Sequence, residues 1–315
     1  TFNLFGVTLK KLGIACTFIS PEATEEEIQA AFRPNTKLLF GETISNPGCA
    51  VLDIGKFARI AHKNGVPLVV DNTFATPINC RPIEWGADIV THSTTKYMDG
   101  FATQVGGAVI DSGNFDWLAH AEKFPGLCTP DESYHGLTYV KAFGKMGYTT
   151  KLVAQLMRDL GSIPAPQNSF LLNIGLQTLH LRMAQHCKNA QRVAEFLHDE
   201  PKVAWVHYCG LPDDKAYALG QKYLPNGSCG VIAFGLKGDR ETAIKWMDSL
   251  EMINIVTHVA DARTCVLHPA SHTHRQLSDE QLREAGVAPD LIRLSVGIED
   301  VEDILDDIKQ ALEKI

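Results

Sequence analysis

The sequence predicts an α/β fold: a mostly parallel sheet sandwiched by helices, followed by a smaller α+β C-terminal domain. In the first half, short β-rich runs alternate with helical patterns, the signature of βαβ units and a parallel sheet. A polar stretch with two prolines, Ser162 to Asn168, separates this half from a second in which strands and helices lose that alternation. With 315 residues, 45% hydrophobic and 8% aromatic, the chain can bury a large core, which excludes disorder and fibres.

Taken in order, Lys37-Leu38-Leu39-Phe40-Gly41-Glu42-Thr43 reads as the first strand. The segment from Asp53 to Asn64 places Ile54, Phe57, Ala58, Ile60 and Ala61 at helical spacing, and Gly65 supplies a stop. Val66-Pro67-Leu68-Val69-Val70-Asp71 is a buried strand ending on a carboxylate; Asp88-Ile89-Val90-Thr91-His92 is another, and Gly107-Ala108-Val109-Ile110-Asp111 a third. Because Pro164 and Pro166 cannot continue a helix, the domain boundary is placed near 170, giving domains 1–170 and 171–315. A long helix from Leu171 to His198 opens the second domain. Strands follow near 203–208, 230–236 and 291–296, and helices near 240–250, 278–284 and 301–315. There is no internal repeat and no low-complexity tract.

Composition narrows the function classes. The chain carries 29 Lys+Arg against 37 Asp+Glu, a net charge of −8, and no basic stripe able to displace phosphate counterions, so no nucleic-acid partner is expected. Its apolar runs are too short to cross a bilayer and its first residues show no basic-then-apolar export signal. A cytoplasmic enzyme without a membrane partner is therefore the expectation. The eight cysteines include no C-x-x-C pair for zinc or a redox disulfide, and most read as small buried apolar residues.

Chemistry concentrates at two strand ends. Asp71 closes one buried strand, and in open parallel sheets the crevice beyond the carboxyl ends of the strands is the usual ligand site. At the end of the next strand comes Thr91-His92-Ser93-Thr94-Thr95-Lys96. A desolvated lysine can form a Schiff base with an aldehyde, and hydroxyls just before it can hydrogen-bond phosphate oxygens. A nearby aspartate can keep a pyridine nitrogen protonated, making the ring an electron sink. Together these groups imply pyridoxal 5′-phosphate. Singly, each has a blander reading: Asp71 as a strand-end cap, Lys96 as a solvated lysine, Ser93 and Thr95 as turn hydroxyls. It is the joint pattern that points to a site.

The chain resembles the cysteine/methionine-metabolism family of pyridoxal-phosphate enzymes. The stretches that carry the resemblance are Glu42-Thr43-Ile44-Ser45-Asn46-Pro47, Val69 to Phe74, His92-Ser93-Thr94-Thr95-Lys96-Tyr97, His268 to His274 and Arg293-Leu294-Ser295-Val296-Gly297-Ile298-Glu299-Asp300, in the family's order. By that resemblance the fold is the type I fold of pyridoxal-phosphate-dependent transferases. Lys96 matches the Schiff-base lysine, Asp71 the pyridinium partner, and Ser93 and Thr95 the phosphate-binding hydroxyls. Asn46 matches the asparagine beside the ring 3-hydroxyl and the substrate, and Arg293 the arginine that grips the substrate carboxylate. Read on its own, Arg293 is equally a strand arginine in a salt bridge or interface. Thr129 to Gly136, followed by a helix carrying Phe143-Gly144-Lys145, is similar to the O-acetylhomoserine sulfhydrylase branch; its blander reading is a polar loop before a helix.

The resemblance also implies what this sequence lacks or changes. A glycine-containing phosphate loop, a ring-stacking tyrosine and a Tyr-x-Arg segment reaching a neighbouring subunit would precede Thr1, so the chain is expected to be a fragment or processed form. Phe101 stands where relatives commonly carry His, and His258 and Ala260 where Asn or Ser and Gly are usual. The last change matters if the backbone there needs positive φ. The expected activity is γ-replacement on O-acetylhomoserine with sulfide or a thiol, giving homocysteine or methionine plus acetate. Elimination of the methionine γ-lyase or cystathionine lyase type is the alternative, and a non-catalytic structural chain a second. His268, His272 and His274 form H-x-x-x-H-x-H, but without an adjacent carboxylate or cysteine they read as packed or capping side chains, and no metal is expected. The resemblance further implies a homotetramer built from dimers that share active sites.

Overall fold

The computed structural model describes residues 1–272, 280 and 288–315. Four strands form the first sheet: β1 (Leu39–Glu42), β2 (Leu68–Asp71), β3 (Ile89–Ser93) and β4 (Gly107–Asp111), in that spatial order. The first three are parallel, and β4 runs antiparallel to β3. Along β2 and β3, Leu68, Val70 and Val90 join one apolar cluster while Val69 and Ile89 join another. Alternation of period two thus buries both faces, as expected of a parallel sheet between layers. The strand expected at Gly107–Asp111 is present, but it is an edge strand rather than a buried one, with Val109 and Ile110 exposed. An apolar run fixes the strand and not its place in the sheet.

Before β1, helix α1 (Glu25–Ala31) begins with a capping box in which Thr24 and Glu27 exchange side-chain and backbone hydrogen bonds. That signal, Thr24-x-x-Glu27, was legible in the sequence and absent from the expected elements. Helix α2 (Ile54–Lys63) is capped by Asp53 and buries Ile54, Phe57, Ala58, Ile60 and Ala61, the five positions that the spacing selected. Gly65 ends it with φ +63°.

Helix α3 (Pro166–Asp199) starts ahead of the expected Leu171. The prolines mark its start rather than a break beyond it: Pro166 sits in the first turn, where no backbone N–H is needed. Position 170 therefore falls inside a helix. A Cβ at Gly175 would lie 2.5 Å from the carbonyl oxygens of Met98 and Asp99, so the bare backbone lets α3 press against the loop that follows Lys96.

The second sheet holds β5 (Val203–His207), β6 (Val231–Leu236), β7 (Asn254–Ile255), β8 (Cys265–Leu267) and β9 (Ile292–Ser295), in the order β5-β6-β9-β8-β7. Helices α4 (Tyr217–Tyr223), α5 (Arg240–Asp248) and α6 (Val301–Glu313) accompany it. Strands β7 and β8 and helix α4 were not anticipated, since two- and three-residue strands carry no usable period. The helix expected near 278–284 lies outside the described residues except at Glu280. The helix expected through Phe143-Gly144-Lys145 is interrupted: Tyr139–Phe143 ends at Gly144, whose φ is +52°, and Gly147–Lys151 resumes after a tight turn. The largest apolar cluster crosses from one half to the other, joining Val70 and Val90 to Met183, Cys229 and Val259.

Candidate functional site

Strand β2 delivers Asp71 to the carboxyl end of the sheet, in register with Glu42 of β1 and Thr91 of β3. Asp71 Oδ1 accepts the backbone N–H of Thr73 at 2.9 Å, and among the described residues Oδ2 has no partner. The loop after β2 is tied to β3, because Asn72 N–H donates to Thr91 O at 2.9 Å and Ser93 N–H to Thr73 Oγ1 at 2.8 Å. Lys96 sits in the turn that follows β3. Its N–H reaches Ser93 O at 3.3 Å, and its carbonyl accepts Gly100 N–H at 2.8 Å. The next residue, Tyr97, is fully buried; its hydroxyl accepts Gly230 N–H at 2.9 Å and its carbonyl accepts Arg182 Nη1 at 2.7 Å. The lysine backbone is thus clamped, and its side chain alone extends from the turn.

That side chain turns toward the second sheet. Lys96 Nζ lies 3.3 Å from His258 Nδ1. Burial, then the Arg293 charge, pull the Lys96 pKa below its usual value. Arg293, on β9, is 5% exposed and donates to Asn46 Oδ1 at 3.1 Å, Thr257 O at 3.1 Å and His258 O at 3.0 Å. Asn46 N–H in turn donates to Glu42 Oε2 at 3.1 Å. Glu42 neighbours Asp71 across the sheet, which closes a circuit from Lys96 through His258, Arg293, Asn46, Glu42 and Asp71 back to β3. Burial raises the Glu42 pKa, and the Asp71 charge adds to it.

The hydroxyls differ in freedom. Thr95 Oγ1 accepts Gly106 N–H at 3.1 Å and lies 3.4 Å from Gly106 O, whereas Ser93 Oγ has no partner among the described residues. His92 is buried with Nδ1 unpartnered, and burial pushes its pKa down to about 4 despite nearby Asp71.

Two observations fit the site to pyridoxal 5′-phosphate and an amino-acid substrate. Arg293 is a buried guanidinium with no carboxylate partner among the described residues and with Nε orphaned. Such a cation is costly to bury unless an anion completes it. An amine of lowered pKa, an aspartate with one free oxygen and an unpartnered serine hydroxyl are the donor set for an aldehyde, a pyridine nitrogen and a phosphate. Sequence reasoning missed His258 as a neighbour of Lys96 and gave Glu42 and Thr73 no role. Glu42 stood in a quoted motif, but only strand register shows that it sits beside Asp71.

Of the three departures, His258 is the neighbour of Lys96 described above, and Ala260 lies on the same loop. Phe101 is 45% exposed, with the Arg182 guanidinium 5.3 Å from its ring centre. Ala260 has φ +63°, the left-handed conformation that glycine adopts freely, and its N–H donates to Ser295 Oγ at 2.8 Å. His268 is packed, with Nδ1 2.7 Å from Ser271 Oγ and Nε2 2.9 Å from Pro289 O, while His272 Nδ1 contacts His268 O at 3.2 Å. His274 lies outside the described residues. A separate cavity of about 250 Å³, lined by His62, Asp88, Phe115 and His120, opens near the start of β3, away from this site.

Sheet, crevice and donor set define a pyridoxal-phosphate enzyme of the type I transferase fold. The family profile described as "Cys/Met metabolism PLP-dependent enzyme" matches residues 1–313. The homocysteine synthase of Schizosaccharomyces pombe is 44% identical over 99% of this chain and 73% of its own length. The O-acetyl-L-homoserine sulfhydrylase of Leptospira meyeri is 41% identical over 100% of this chain and 73% of its own. A Campylobacter jejuni structure described as an O-acetylhomoserine (thiol)-lyase, with N′-pyridoxyl-lysine-5′-monophosphate, superposes with a TM-score of 0.94. It is 36% identical and covers 99% of this chain and 74% of that one. This chain belongs to the Cys/Met metabolism family of PLP-dependent enzymes.

Proposed function

We propose that this chain catalyses γ-replacement on O-acetylhomoserine: sulfide or a thiol forms the new bond to Cγ, and acetate leaves with the electron pair of the Cγ–O bond. The product is homocysteine or methionine. The observation that carries this reading is Arg293, a buried cation held beside Asn46 with no carboxylate partner among the described residues, which suits the carboxylate of an amino-acid substrate. Relatives whose names specify homocysteine synthesis and O-acetylhomoserine sulfhydrylation support it.

Pyridoxal 5′-phosphate, when bound, supplies an aldehyde and a protonated ring that takes up negative charge from the substrate α-carbon. Lys96 Nζ would hold the aldehyde carbon and, once released, move the α-proton. Asp71 Oδ2 would keep the proton on the ring nitrogen. Ser93 and Thr95 would hold the phosphate, with Thr95 giving up its contact to Gly106. Arg293 binds the substrate carboxylate through its planar fork, and Asn46 Oδ1 fixes the orientation of that fork.

The test is product analysis with O-acetylhomoserine plus sulfide against methionine alone. Homocysteine and acetate are expected. Ammonia and a 2-oxo acid from methionine, with no homocysteine, would replace this reading with the lyase one; protein that stays colourless with the cofactor would replace it with the non-catalytic one. The reading extends to a division at residue 170 between a cofactor-binding and a C-terminal domain, to a cytoplasmic location, and to a homotetramer of dimers. Among the described residues no helix is long and apolar enough to cross a membrane. Exposed Phe143, Met146, Leu156, Leu160 and Phe170 offer apolar surface for assembly, which sedimentation would measure.

A further inference from the structure

We propose that His258 is a positioning residue whose neutral Nδ1 holds the Lys96 amine and which titrates as one unit with it, Asp261 being the anion that faces the other ring nitrogen. This rests on the reading of Lys96 as the cofactor lysine. An ammonium has only protons to offer, so across 3.3 Å His258 Nδ1 must be the acceptor, which leaves the ring hydrogen on Nε2. Nε2 is buried without a hydrogen-bond partner and lies 3.8 Å from Asp261 Oδ2, too long for a hydrogen bond and close enough for an ion pair. Asp261 is 4% exposed and is itself held as an anion by Arg263, at 2.9 Å from Nε and 3.2 Å from Nη2.

Burial lowers the pKa of both groups, so near neutral pH His258 is the uncharged acceptor; as pH falls Nδ1 takes a proton from solvent, and the resulting imidazolium, facing Asp261, repels the proton of Lys96. Every charged or titratable neighbour acts on this pair in a known direction. Facing Lys96 are Arg293 from β9, which repels its proton, and Cys265 from β8, whose thiol burial pushes up to about 11. Burial pulls the His258 pKa below its usual value, and of the charges that face it Lys96, Arg293 and Arg263 oppose its protonation while Asp261 favours it. When Lys96 gives up its proton, its repulsion of His258 disappears and the Asp261 attraction remains. Two groups coupled in this way titrate as a unit.

The experiment uses the cofactor-free full chain and trace acetylation across pH, with the Lys96 peptide read by mass spectrometry. An isolated amine labels about tenfold faster per pH unit below its pKa. In the unaltered protein the Lys96 profile is expected to flatten over the interval in which His258 takes the proton. His258→Asn keeps an acceptor but cannot titrate, and should restore the tenfold line. Superimposable profiles overturn the proposal. A second measurement, hydrogen exchange at the His258 ring carbon, needs no altered histidine. Its midpoint is expected to rise by about one unit in Lys96→Met, which removes the neighbouring cation, and to fall in Asp261→Asn. An unmoved midpoint in Lys96→Met overturns the coupling of the pair. Borohydride fixation of the cofactor on a different lysine would overturn the reading of the site, while both proton measurements would still decide the pair.

Discussion

Arg182 and Arg293 are each 5% exposed, yet the protein treats them differently. Arg182 is finished by its own chain: Nε donates to Thr178 Oγ1 at 3.1 Å, Nη1 to Tyr97 O at 2.7 Å, and Nη2 to Gly175 O at 2.7 Å and Met98 O at 3.4 Å. Arg293 keeps Nε orphaned, and its side-chain partner is the neutral amide of Asn46. Equal burial with unequal satisfaction separates a cation that braces the backbone from one held ready for a ligand. The two are linked, because Arg182 clamps the Tyr97 and Met98 carbonyls immediately after Lys96.

The largest expected effect lies between the two arginines. Lys96→Ala removes the amine that lies beside His258, so turnover should fall by about 10³-fold or more and borohydride should fix no cofactor on that peptide. Arg182→Met should break the bracing side of the comparison. It leaves the buried Tyr97 carbonyl without its donor and takes one donor from the Gly175 carbonyl, a loss of about 2 kcal/mol that a denaturant midpoint would register. The folded fraction should keep its KM for O-acetylhomoserine. Arg293→Lys should do the opposite. Losing the planar fork costs about 1.5 to 3 kcal/mol of substrate affinity, seen as a KM roughly 10- to 100-fold higher, while the denaturant midpoint moves less than in Arg182→Met. If the two variants exchanged these signatures, degree of satisfaction would not distinguish ligand sites from structural ones here.

The same contrast explains what the sequence made legible. Asp71, Ser93 and Lys96 could be named because residue type and strand-end position restrict them, whereas Asn46 and Arg293 could be named only through the family resemblance; the fold brings Lys96, Asn46 and Arg293 into one circuit through His258. Helix α2 was legible for a similar local reason, its five buried positions following one 3.6-residue period. Non-local features were not. Nothing in Arg182 marks it as a brace for a loop over eighty residues away, and the place of Glu42 beside Asp71 depends on strand register. The start of α3 at Pro166 was misjudged because a proline that forbids a helix interior suits a first turn.

Two histidines carry the comparison into pH dependence. His186 is buried with Nδ1 2.8 Å from Val296 O, whereas His92 has Nδ1 unpartnered; burial lowers both pKa values from 6.5 to about 4. A folded pKa below the unfolded one means that the unfolded chain binds the proton first. The stability from keeping each ring neutral is therefore complete above pH 6.5 and is lost as pH falls toward about 4. Each should contribute about 1.4 kcal/mol per pH unit inside that window, so thermal midpoints should drop on acidification, with a shallower slope in His92→Gln.

The smallest effect tests whether the site is also strained in its backbone. Ala260 has φ +63° two residues after His258, and its N–H is held by Ser295 Oγ at 2.8 Å. Its methyl group is fully buried, which offsets part of the cost of the left-handed conformation. Glycine would remove that cost and give back most of it through the lost methyl burial and the greater freedom of the unfolded chain, leaving Ala260→Gly more stable by about 0.5 kcal/mol. The hydrogen bond to Ser295 does not involve the side chain, so the loop that carries His258 and the carbonyls gripping Arg293 should keep its course, and KM should stay unchanged. A rise in the thermal midpoint at constant KM would place the strain in the backbone alone. A fall in the midpoint would show that the methyl group packs well enough to outweigh its conformation.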